Sequence, residues 1–382
     1  MKNIYLDYNA HTPCDKFVID AMNELWAQAG NPHSIGHYFG WHKQQMIDEA
    51  LSTFAEIYDC FEDELLFISG ATEANNLAIY SGIKLAKRMK PEGNTLLTSH
   101  LEHKSVLKPL QFMAKTLGLH LIYINITTEG VIDLKDLQNN LENNQVLWVS
   151  CTMTNGIIGT NQPIYQIAQL CEQYDAKLHV DASQAGYLDI ACHDLNVDFL
   201  TLSAHKIYGP SGIGLMYSKY FEHSDFFPMI IGGGQQNGLR AGTLPVPLIV
   251  GFATAVKRLE DLKESETIEL IEKRQQLLDG LSDKLNIEVY GNLDDRHPGN
   301  LYLSIDGIDS MQLLNNLQPQ LAFSLGSACD GLTREYPLLL KTMGISQAKA
   351  ESSFRVCVGR MTTSDEIVQA IEQIVSVVEK II

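Results

Sequence analysis

Short apolar runs recur along residues 60–220, and helix-like segments separate most of them. The runs are ELLFIS, NTLLTS, HLIYINI, QVLWVSC, AKLHVDA, VDFLTLSA and IGLMY. The helix-like segments include ATEANNLAIYSGIKLAKRMK at 71–90 and IYQIAQLCEQYD at 164–175. Strands that alternate with helices predict a parallel or mostly parallel sheet that is covered on both faces.

The pattern changes after residue 257. A charged segment at 257–285 has Leu and Ile at helical spacing. The last hundred residues then mix strand-like runs, NLYLSI and SSFRVCVG, with the helix-like runs MQLLNNL and TSDEIVQAIEQIVSVVEKI. This mixture is typical of a smaller α+β unit. We therefore predict a large α/β domain over 14–257 and a small domain formed by 1–13 and 258–382.

Composition narrows the class of protein. The chain has 382 residues, of which 45% are hydrophobic and 19% charged, as in globular proteins. No apolar run approaches the roughly 18 residues that span a bilayer, and the N-terminus lacks the pattern of an export signal, so we expect a cytoplasmic protein without membrane contact. The net charge of −18, without a Lys/Arg cluster, argues against direct nucleic-acid binding. Seven dispersed cysteines without a CxxC pair predict neither disulfides nor a metal site.

Candidate chemistry follows the strands, because ligands of open α/β sheets bind beyond the carboxyl ends of the strands. After LLFIS, Gly70 permits a tight turn and Thr72 begins a helix, whose free amide groups attract a phosphate. A plain strand–turn–helix joint explains the same residues. After AKLHV comes Asp181, an acid that needs a partner if it is buried, although a surface turn would also accommodate it.

Lys206 follows the next strand, directly before a glycine-rich turn. Two neighbouring strand ends would then present the Asp181 carboxylate and the Lys206 amine at one edge of the sheet. An amine that can bond an aldehyde, an acid for a protonated pyridine nitrogen and a phosphate site together match pyridoxal 5'-phosphate (PLP). The combination is far more specific than any one of its parts.

Nine motifs, in order along the chain, resemble those of the cysteine desulfurases, fold type I PLP enzymes of the class V aminotransferase group. They are LDYNAHTP, NPHSIGH, SGATEANNLAI, HLEHKSVL, HVDASQ, SAHKIYGPSGIG, GGGQQNGLRAGT, SLGSAC and SSFRVCVGR. The resemblance runs nearly from end to end. It implies a large PLP-binding domain with a mostly parallel seven-stranded sheet, and a smaller α+β domain.

The resemblance also implies a set of cofactor ligands. Lys206 corresponds to the lysine that bonds the cofactor, and Asp181 to the partner of the pyridine nitrogen. His103 corresponds to the histidine that stacks on the ring and moves protons. The other implied cofactor ligands are Ala71, Thr72, Ser203 and His205 at the phosphate, Gln184 and Asn155 at the ring oxygen, and Thr243, which would reach the phosphate of a neighbouring subunit.

The implied reaction removes sulfur from L-cysteine and gives L-alanine. Arg355 corresponds to the arginine that holds the substrate carboxylate, assisted by Asn31 and Asn155. Cys329, in the glycine-rich stretch LGSACDGL, corresponds to the nucleophile that becomes a persulfide and passes sulfur to an acceptor protein. By itself Cys329 could equally be a structural cysteine, as we expect the other six to be. A homodimer is implied by the role of Thr243.

Three positions depart from the family pattern. Relatives commonly carry Asn at the position of Gly156, Glu at that of Gln236, and a small or hydroxyl residue at that of His11.

The alternatives to a cysteine desulfurase are a selenocysteine lyase, another PLP-dependent lyase or aminotransferase, and a non-catalytic partner-binding homologue. The sulfur acceptor could be an iron–sulfur scaffold or an enzyme of tRNA or DNA thiolation.

Overall fold

The computed structural model describes residues 3–325 and 336–381, so the predicted nucleophile Cys329 lies outside the described residues. The described α-helices are α1 Lys16–Trp26, α2 Tyr38–Tyr58, α3 Ala71–Met89, α4 Lys104–Leu117, α5 Leu134–Asn143, α6 Ile164–Gln173, α7 Cys192–Leu195, α8 Val246–Ser282, α9 Ser310–Leu317, α10 Leu338–Thr342, α11 Gln347–Glu351 and α12 Ser364–Ile381. The described strands are β1 Ile4–Tyr5, β2 Leu65–Ile68, β3 Thr95–Thr98, β4 His120–Tyr123, β5 Val146–Thr152, β6 Lys177–Asp181, β7 Phe199–Ser203, β8 Gly214–Ser218, β9 Ile287–Tyr290, β10 Asn300–Ile305, β11 Leu321–Ala322 and β12 Ser353–Cys357. Short 3-10 helices occupy Glu62–Glu64, Ala204–Lys206 and Gln235–Gly238.

The central sheet contains seven strands in the order β2-β8-β7-β6-β5-β3-β4. All of its neighbouring pairs are parallel except those that β8 makes with β2 and β7. Each of the seven apolar runs noted in the sequence supplies one of these strands, so the predicted mostly parallel α/β sheet is confirmed. The register pairs Asp181 of β6 with Thr201 of β7, which brings the carboxyl ends of these two strands to the same edge.

The strands are mostly apolar because helices cover both faces of the sheet. All residues of β5 and β7 are buried. Helix α3 approaches the sheet closely at Gly82, where an added Cβ would lie 2.4 Å from the Trp148 ring. Only a residue without a side chain allows that approach, so Gly82 sets the distance between α3 and the sheet.

A second hydrophobic core lies around an antiparallel sheet of order β12-β10-β9 and helices α9 and α12. Helix α8 runs from one core to the other. Its residue Phe252 lies in the core beneath the central sheet, which we call the first core, and its residue Leu277 lies in the second core. Strands β1 and β11 pair in parallel beside the second core. The exact domain limits proposed from the sequence stay a prediction.

Along the described ranges, no helix combines the length and the apolar character that crossing a membrane requires.

Candidate active site

The carboxyl ends of β6 and β7 bring together the acid and the amine predicted from the sequence. Asp181 ends β6 and is 6% exposed. Its Oδ1 accepts hydrogen bonds from the Ser183 backbone (3.0 Å) and hydroxyl (2.5 Å), and its Oδ2 accepts one from Asn75 Nδ2 (2.8 Å). Such charge-assisted bonds hold the carboxylate in one orientation.

Lys206 ends the short 3-10 helix that follows β7. Its Nζ donates to the backbone oxygens of Asn9 (2.7 Å) and Ala10 (2.9 Å). Burial, with a smaller contribution from the nearby Arg355 cation, lowers the pKa of Lys206 to about 8, although Asp181 opposes the shift. A substantial fraction of this amine is therefore neutral near pH 7, and only the neutral form can attack a carbonyl.

His103 precedes α4 and caps it. Its Nδ1 accepts a hydrogen bond from the Ser105 backbone (3.1 Å) and lies 2.7 Å from the Ser105 hydroxyl, which in turn accepts one from Asn75 Nδ2 (2.9 Å). Because Nδ1 is an acceptor, the neutral ring carries its proton on Nε2. Desolvation lowers the pKa of His103, although Asp181 raises it, and the neutral ring presents an Nε2–H that can donate a proton and take it back.

Helix α3 begins beside Asp181 and leaves an open space at its N-terminus. Gly70 precedes the helix at φ 148°, and no side chain caps the free amides. A Cβ added at Gly70 would meet no atom of the described residues within 4 Å. Ala71 and Thr72 form the first turn, so their amides face an open cradle of the kind that binds phosphate.

Ser203 and His205 lie at the end of β7, and the Ser203 hydroxyl is 3.0 Å from His205 Nδ1. Burial, with Lys206 and His11 nearby, lowers the pKa of His205 to about 4, so the ring is neutral at pH 7. A neutral ring with Nδ1 engaged can still present Nε2 to an anion.

Gln184 and Asn155 occupy the same edge but are largely bound to protein groups. Gln184 and Asn9 form a reciprocal pair, in which Gln184 Nε2 donates to the Asn9 backbone (2.7 Å) and Asn9 Nδ2 donates to Gln184 Oε1 (3.1 Å). Asn155 Nδ2 donates to the Leu101 backbone (2.7 Å), and its Oδ1 accepts from Ile157 and Ile158. One hydrogen of each side-chain amide is left for a ligand.

Arg355 lies in β12 and is 7% exposed. Its Nη2 is 2.5 Å from Asp7 Oδ1, and its Nη1 donates to the Gly156 backbone (2.6 Å). Its Nε is buried and has no hydrogen-bond partner in the part of the chain that the structure describes. Arg355 therefore brings a cation to the pocket of Lys206 and keeps an unused donor there.

Two predicted site residues lie apart from this cluster. Asn31 is exposed, and its Oδ1 accepts from the His33 backbone (3.0 Å). Thr243 is also exposed, in the loop that precedes α8. Neither makes a hydrogen bond to the other predicted site residues within the described ranges, and Cys329 lies outside those ranges. The chain thus brings together the groups around Lys206 and Asp181 and leaves Asn31 and Thr243 exposed.

The three departures from the family pattern each have a defined environment. Gln236 binds the backbone of edge strand β2 at both ends of its amide, accepting from Phe67 N (2.8 Å) and donating to Phe67 O (2.9 Å). A Cβ at Gly156 would lie 3.2 Å from Gln184 Nε2. The His11 ring packs edge-on against His205 at 5.3 Å between centroids.

Four residues of the site were not predicted from the sequence: Asp7, Asn9, Asn75 and Glu102. Asn75 has a local signal, because it follows Thr72 by one helical turn and so shares its face. Glu102 is 6% exposed, and its Oε2 has no hydrogen-bond partner among the described atoms. Burial raises the pKa of Glu102 to about 8, and Asp181 adds to the rise.

These features fit a planar pyridine that carries a phosphate and an aldehyde. The Asp181 carboxylate suits a protonated ring nitrogen, the open cradle at Gly70 suits the phosphate, and Lys206 has an amine that is partly neutral near pH 7. The buried Asn75 Oδ1, which lacks a partner among the described residues, is a further polar group facing this region.

Known proteins are similar to this chain over nearly its whole length. The family model described as aminotransferase class-V matches residues 4–369. Cysteine desulfurase IscS of Ehrlichia chaffeensis is 37% identical over 384 residues, with 99% of this chain and 92% of that protein covered. IscS of Rickettsia bellii is 37% identical over 382 residues, with the same coverage of 99% and 92%.

Solved structures share the fold over nearly the whole chain. A NifS-like protein from Rickettsia africae superimposes with a TM-score of 0.85 at 27% identity, with 99% of each chain covered. The structure of SspA in complex with cysteine superimposes with a TM-score of 0.79 at 29% identity, with 94% of this chain and 100% of that chain covered.

Proposed function

We infer the function from one premise: the chain belongs to the class-V aminotransferase family. It is a PLP-dependent cysteine desulfurase, as its similarity to the IscS proteins over nearly the full length indicates. We propose that the pocket around Lys206 and Asp181 carries this activity. The observation that supports the proposal best is that the parallel strands β6 and β7 end at the same edge of the sheet, with Asp181 at the end of β6 and Lys206 just after β7.

Each residue of the pocket would bind a different part of the cofactor. Lys206 would bond its aldehyde, Asp181 would pair with its ring nitrogen, and the first turn of α3 with Ser203 and His205 would hold its phosphate. Gln184 and Asn155 each keep an amide hydrogen for the ring oxygen. When bound, PLP supplies an electron sink for bonds at the α-carbon of an amino acid.

The substrate would be fixed by its carboxylate. Arg355 offers a planar donor set and a buried Nε, and it is held by Asp7 and the Gly156 backbone. His103 would stack on the cofactor ring, with its Nε2–H toward the substrate, where it would donate a proton and then take it back. Lys206 would be the second group to move a proton at the α-carbon.

Cys329 would be the sulfur acceptor within the enzyme. Its support is the resemblance of LGSACDGL, because the residue lies outside the described ranges. The thiolate attacks the sulfur of the bound cysteine, an S–S bond forms and the Cβ–S bond breaks. Protonation of Cβ then yields alanine, so that cysteine and the enzyme thiol become alanine and an enzyme persulfide. A thiolate is required, because the thiol is a poor nucleophile.

The direct test combines two products with two variants. The PLP-loaded protein is incubated with L-cysteine, and alanine and enzyme-bound sulfur are measured by mass spectrometry. Wild type and Cys14→Ser, which removes a partly exposed thiol, should form both products. Cys329→Ser should form neither, and Lys206→Ala should also lose the cofactor absorbance. A persulfide on another cysteine, or no alanine from wild type, would contradict the proposal.

The alternative reactions separate in the same assay. A selenocysteine lyase would keep its activity on selenocysteine in Cys329→Ser while showing little activity on cysteine. A non-catalytic homologue would bind PLP and release neither alanine nor selenide.

We also propose a homodimer in which Thr243 reaches the phosphate of the neighbouring subunit. A cluster of apolar side chains is exposed before and within the first turns of α2: Ile35, Tyr38, Phe39 and Trp41 are all at least 57% exposed. Exposed apolar groups of this size mark interaction surfaces. Light scattering tests the proposal: Trp41→Glu should shift the mass toward the monomer and weaken PLP binding.

The loops that carry Asn31 and Thr243 lie near each other. His33, from the loop of Asn31, and Gly234, from the segment that leads to Thr243, line the same groove. Asn31 would assist substrate binding from this loop.

We propose that the enzyme works in the cytoplasm and passes its sulfur to an acceptor protein, with iron–sulfur cluster assembly, tRNA thiolation and DNA thiolation as the candidate uses. The six described cysteines are all free thiols, as is usual in a reducing compartment. The net charge of −18 favours an acceptor with a basic face. Pull-down with persulfide-loaded enzyme, compared with Cys329→Ser, would identify the acceptor.

A further inference from the structure

Arg360 follows Arg355 in the turn after β12, and it contacts three other segments of the chain. Its Nη1 donates to Asp15 Oδ2 (2.5 Å), and its Nε donates to Glu266 Oε2 (2.9 Å) in α8. Its guanidinium lies 4.0 Å from the centroid of the Tyr208 ring, and its backbone N–H donates to the Tyr208 hydroxyl (2.8 Å). Arg360 thus forms ion pairs with two acids, and it contacts Tyr208 through both its guanidinium and its backbone.

Tyr208 is the contact nearest to the proposed chemistry. It follows Lys206 by two positions, it is 3% exposed, and its φ is 63°. A bulky residue in the left-handed region is strained, so its surroundings must hold it there. The Tyr208 backbone N–H donates to Thr12 Oγ1 (2.7 Å), whose hydroxyl donates to His205 O (2.9 Å). Arg360 covers the ring of the same tyrosine.

The two acids that pair with Arg360, Asp15 and Glu266, are both buried. Arg258 also donates to Asp15 Oδ2 (3.1 Å) and stacks on Phe17, not on Tyr208. Glu266 is 4% exposed and accepts a further hydrogen bond, from Tyr187 (2.5 Å). Two arginines therefore face two acids, and only Arg360 also contacts the turn of Lys206.

We propose that Arg360 is a positioning residue that sets the distance between Arg355 and Lys206. The inference rests on the proposed function, which assigns the substrate carboxylate to Arg355 and the cofactor to Lys206. These two residues belong to different cores: Arg355 lies in the sheet of the second core, and Lys206 lies at the edge of the central sheet. Arg360 joins the two through the backbone of the β12 turn and the ring of Tyr208. A lysine at position 360 keeps the charge but loses the planar contacts to both acids and the ring.

The test compares Arg360→Lys with Arg258→Lys, because both variants weaken a contact to Asp15 and only the first touches Tyr208. Both are purified with PLP and assayed for alanine formation from L-cysteine. Arg360→Lys should raise KM about tenfold with a smaller change in kcat, because a displaced Arg355 weakens substrate and transition state alike. Arg258→Lys should change KM less than about twofold.

A second readout does not depend on turnover. The absorbance of the bound cofactor is titrated with pH in the absence of substrate. Burial and the Arg355 cation are the two largest causes that lower the pKa of Lys206. The absorbance follows the proton on the Lys206 nitrogen that is bonded to the cofactor, and burial and the Arg355 cation disfavour a proton there as they do on the free amine. A looser turn weakens both effects, so the titration of Arg360→Lys should move upward by at least about half a pH unit. Arg258→Lys should titrate as wild type does.

Equal behaviour of the two variants in both assays would overturn the proposal, since Arg360 would then act only through Asp15. If Arg360→Lys does not fold, Tyr208→Phe removes the hydroxyl contact to the Arg360 backbone and keeps every ion pair. That variant should show part of the KM rise, and a wild-type KM together with a wild-type titration would overturn the proposal. Absence of alanine formation in wild type would refute the proposed function instead, while the absorbance titration would still test Arg360.

Discussion

The reactivity of Lys206 should depend on the charge of Arg355. With a pKa of about 8, Lys206 is neutral in about one molecule in ten at pH 7, against fewer than one in a thousand for an ordinary lysine. Arg355→Gln removes a cation that lowers the pKa of Lys206, and it leaves Asp7, which raises it. A rise of about one unit, or about 1.4 kcal/mol, would reduce the neutral fraction about tenfold.

The assay measures how fast enzyme stripped of its cofactor captures PLP. The rate is read from absorbance after rapid mixing, from about pH 6 to pH 10, and is divided by the rate of a free lysine whose α-amino group is blocked. At pH 7 capture should slow about five- to tenfold in Arg355→Gln, and Arg355→Lys, which keeps the charge, should stay close to wild type. A wild-type rate that follows the profile of the blocked lysine would refute the reasoning. So would an Arg355→Gln rate equal to that of wild type.

Three further outcomes test the surroundings of the site. Glu102→Gln should raise the free energy of unfolding by about 1 kcal/mol or more near pH 8 and little near pH 5. Burial raises the pKa of Glu102 to about 8, so the native state must keep a proton that the unfolded chain loses; an equal gain in urea unfolding at both pH values would contradict this. Asn75→Leu removes the bond to Asp181 and should weaken PLP binding about tenfold in equilibrium dialysis, whereas Ser105→Ala, which leaves that bond, should weaken it less. Gln236→Glu cannot donate to the β2 backbone when ionised, so it should lower stability by about 1–2 kcal/mol near pH 7 and by less near pH 4; a loss independent of pH would argue against the contact.

Much of the fold was predictable because its signals are local. Seven apolar runs became the seven strands of the central sheet, since a strand buried on both faces needs little more than continuous apolar residues. The segment at 71–90 became α3, and NLYLSI became β10. The charged segment at 257–285 was only part of its helix, because α8 begins at Val246 and its apolar first half packs beneath the central sheet.

The sequence by itself determined the strand ends and the types of residue that follow them, which is why Asp181 and Lys206 could be placed at one edge. Only the tertiary structure decided which distant groups meet there. The Asn9 carbonyl binds Lys206 across 197 positions of the chain, and Asp7 binds Arg355 across 348. Neither contact has a periodicity that a sequence could show, because each depends on how the N-terminal segment packs between the two cores. The charge, burial and pKa of the site are set by those contacts, and so they appear only once the chain has folded.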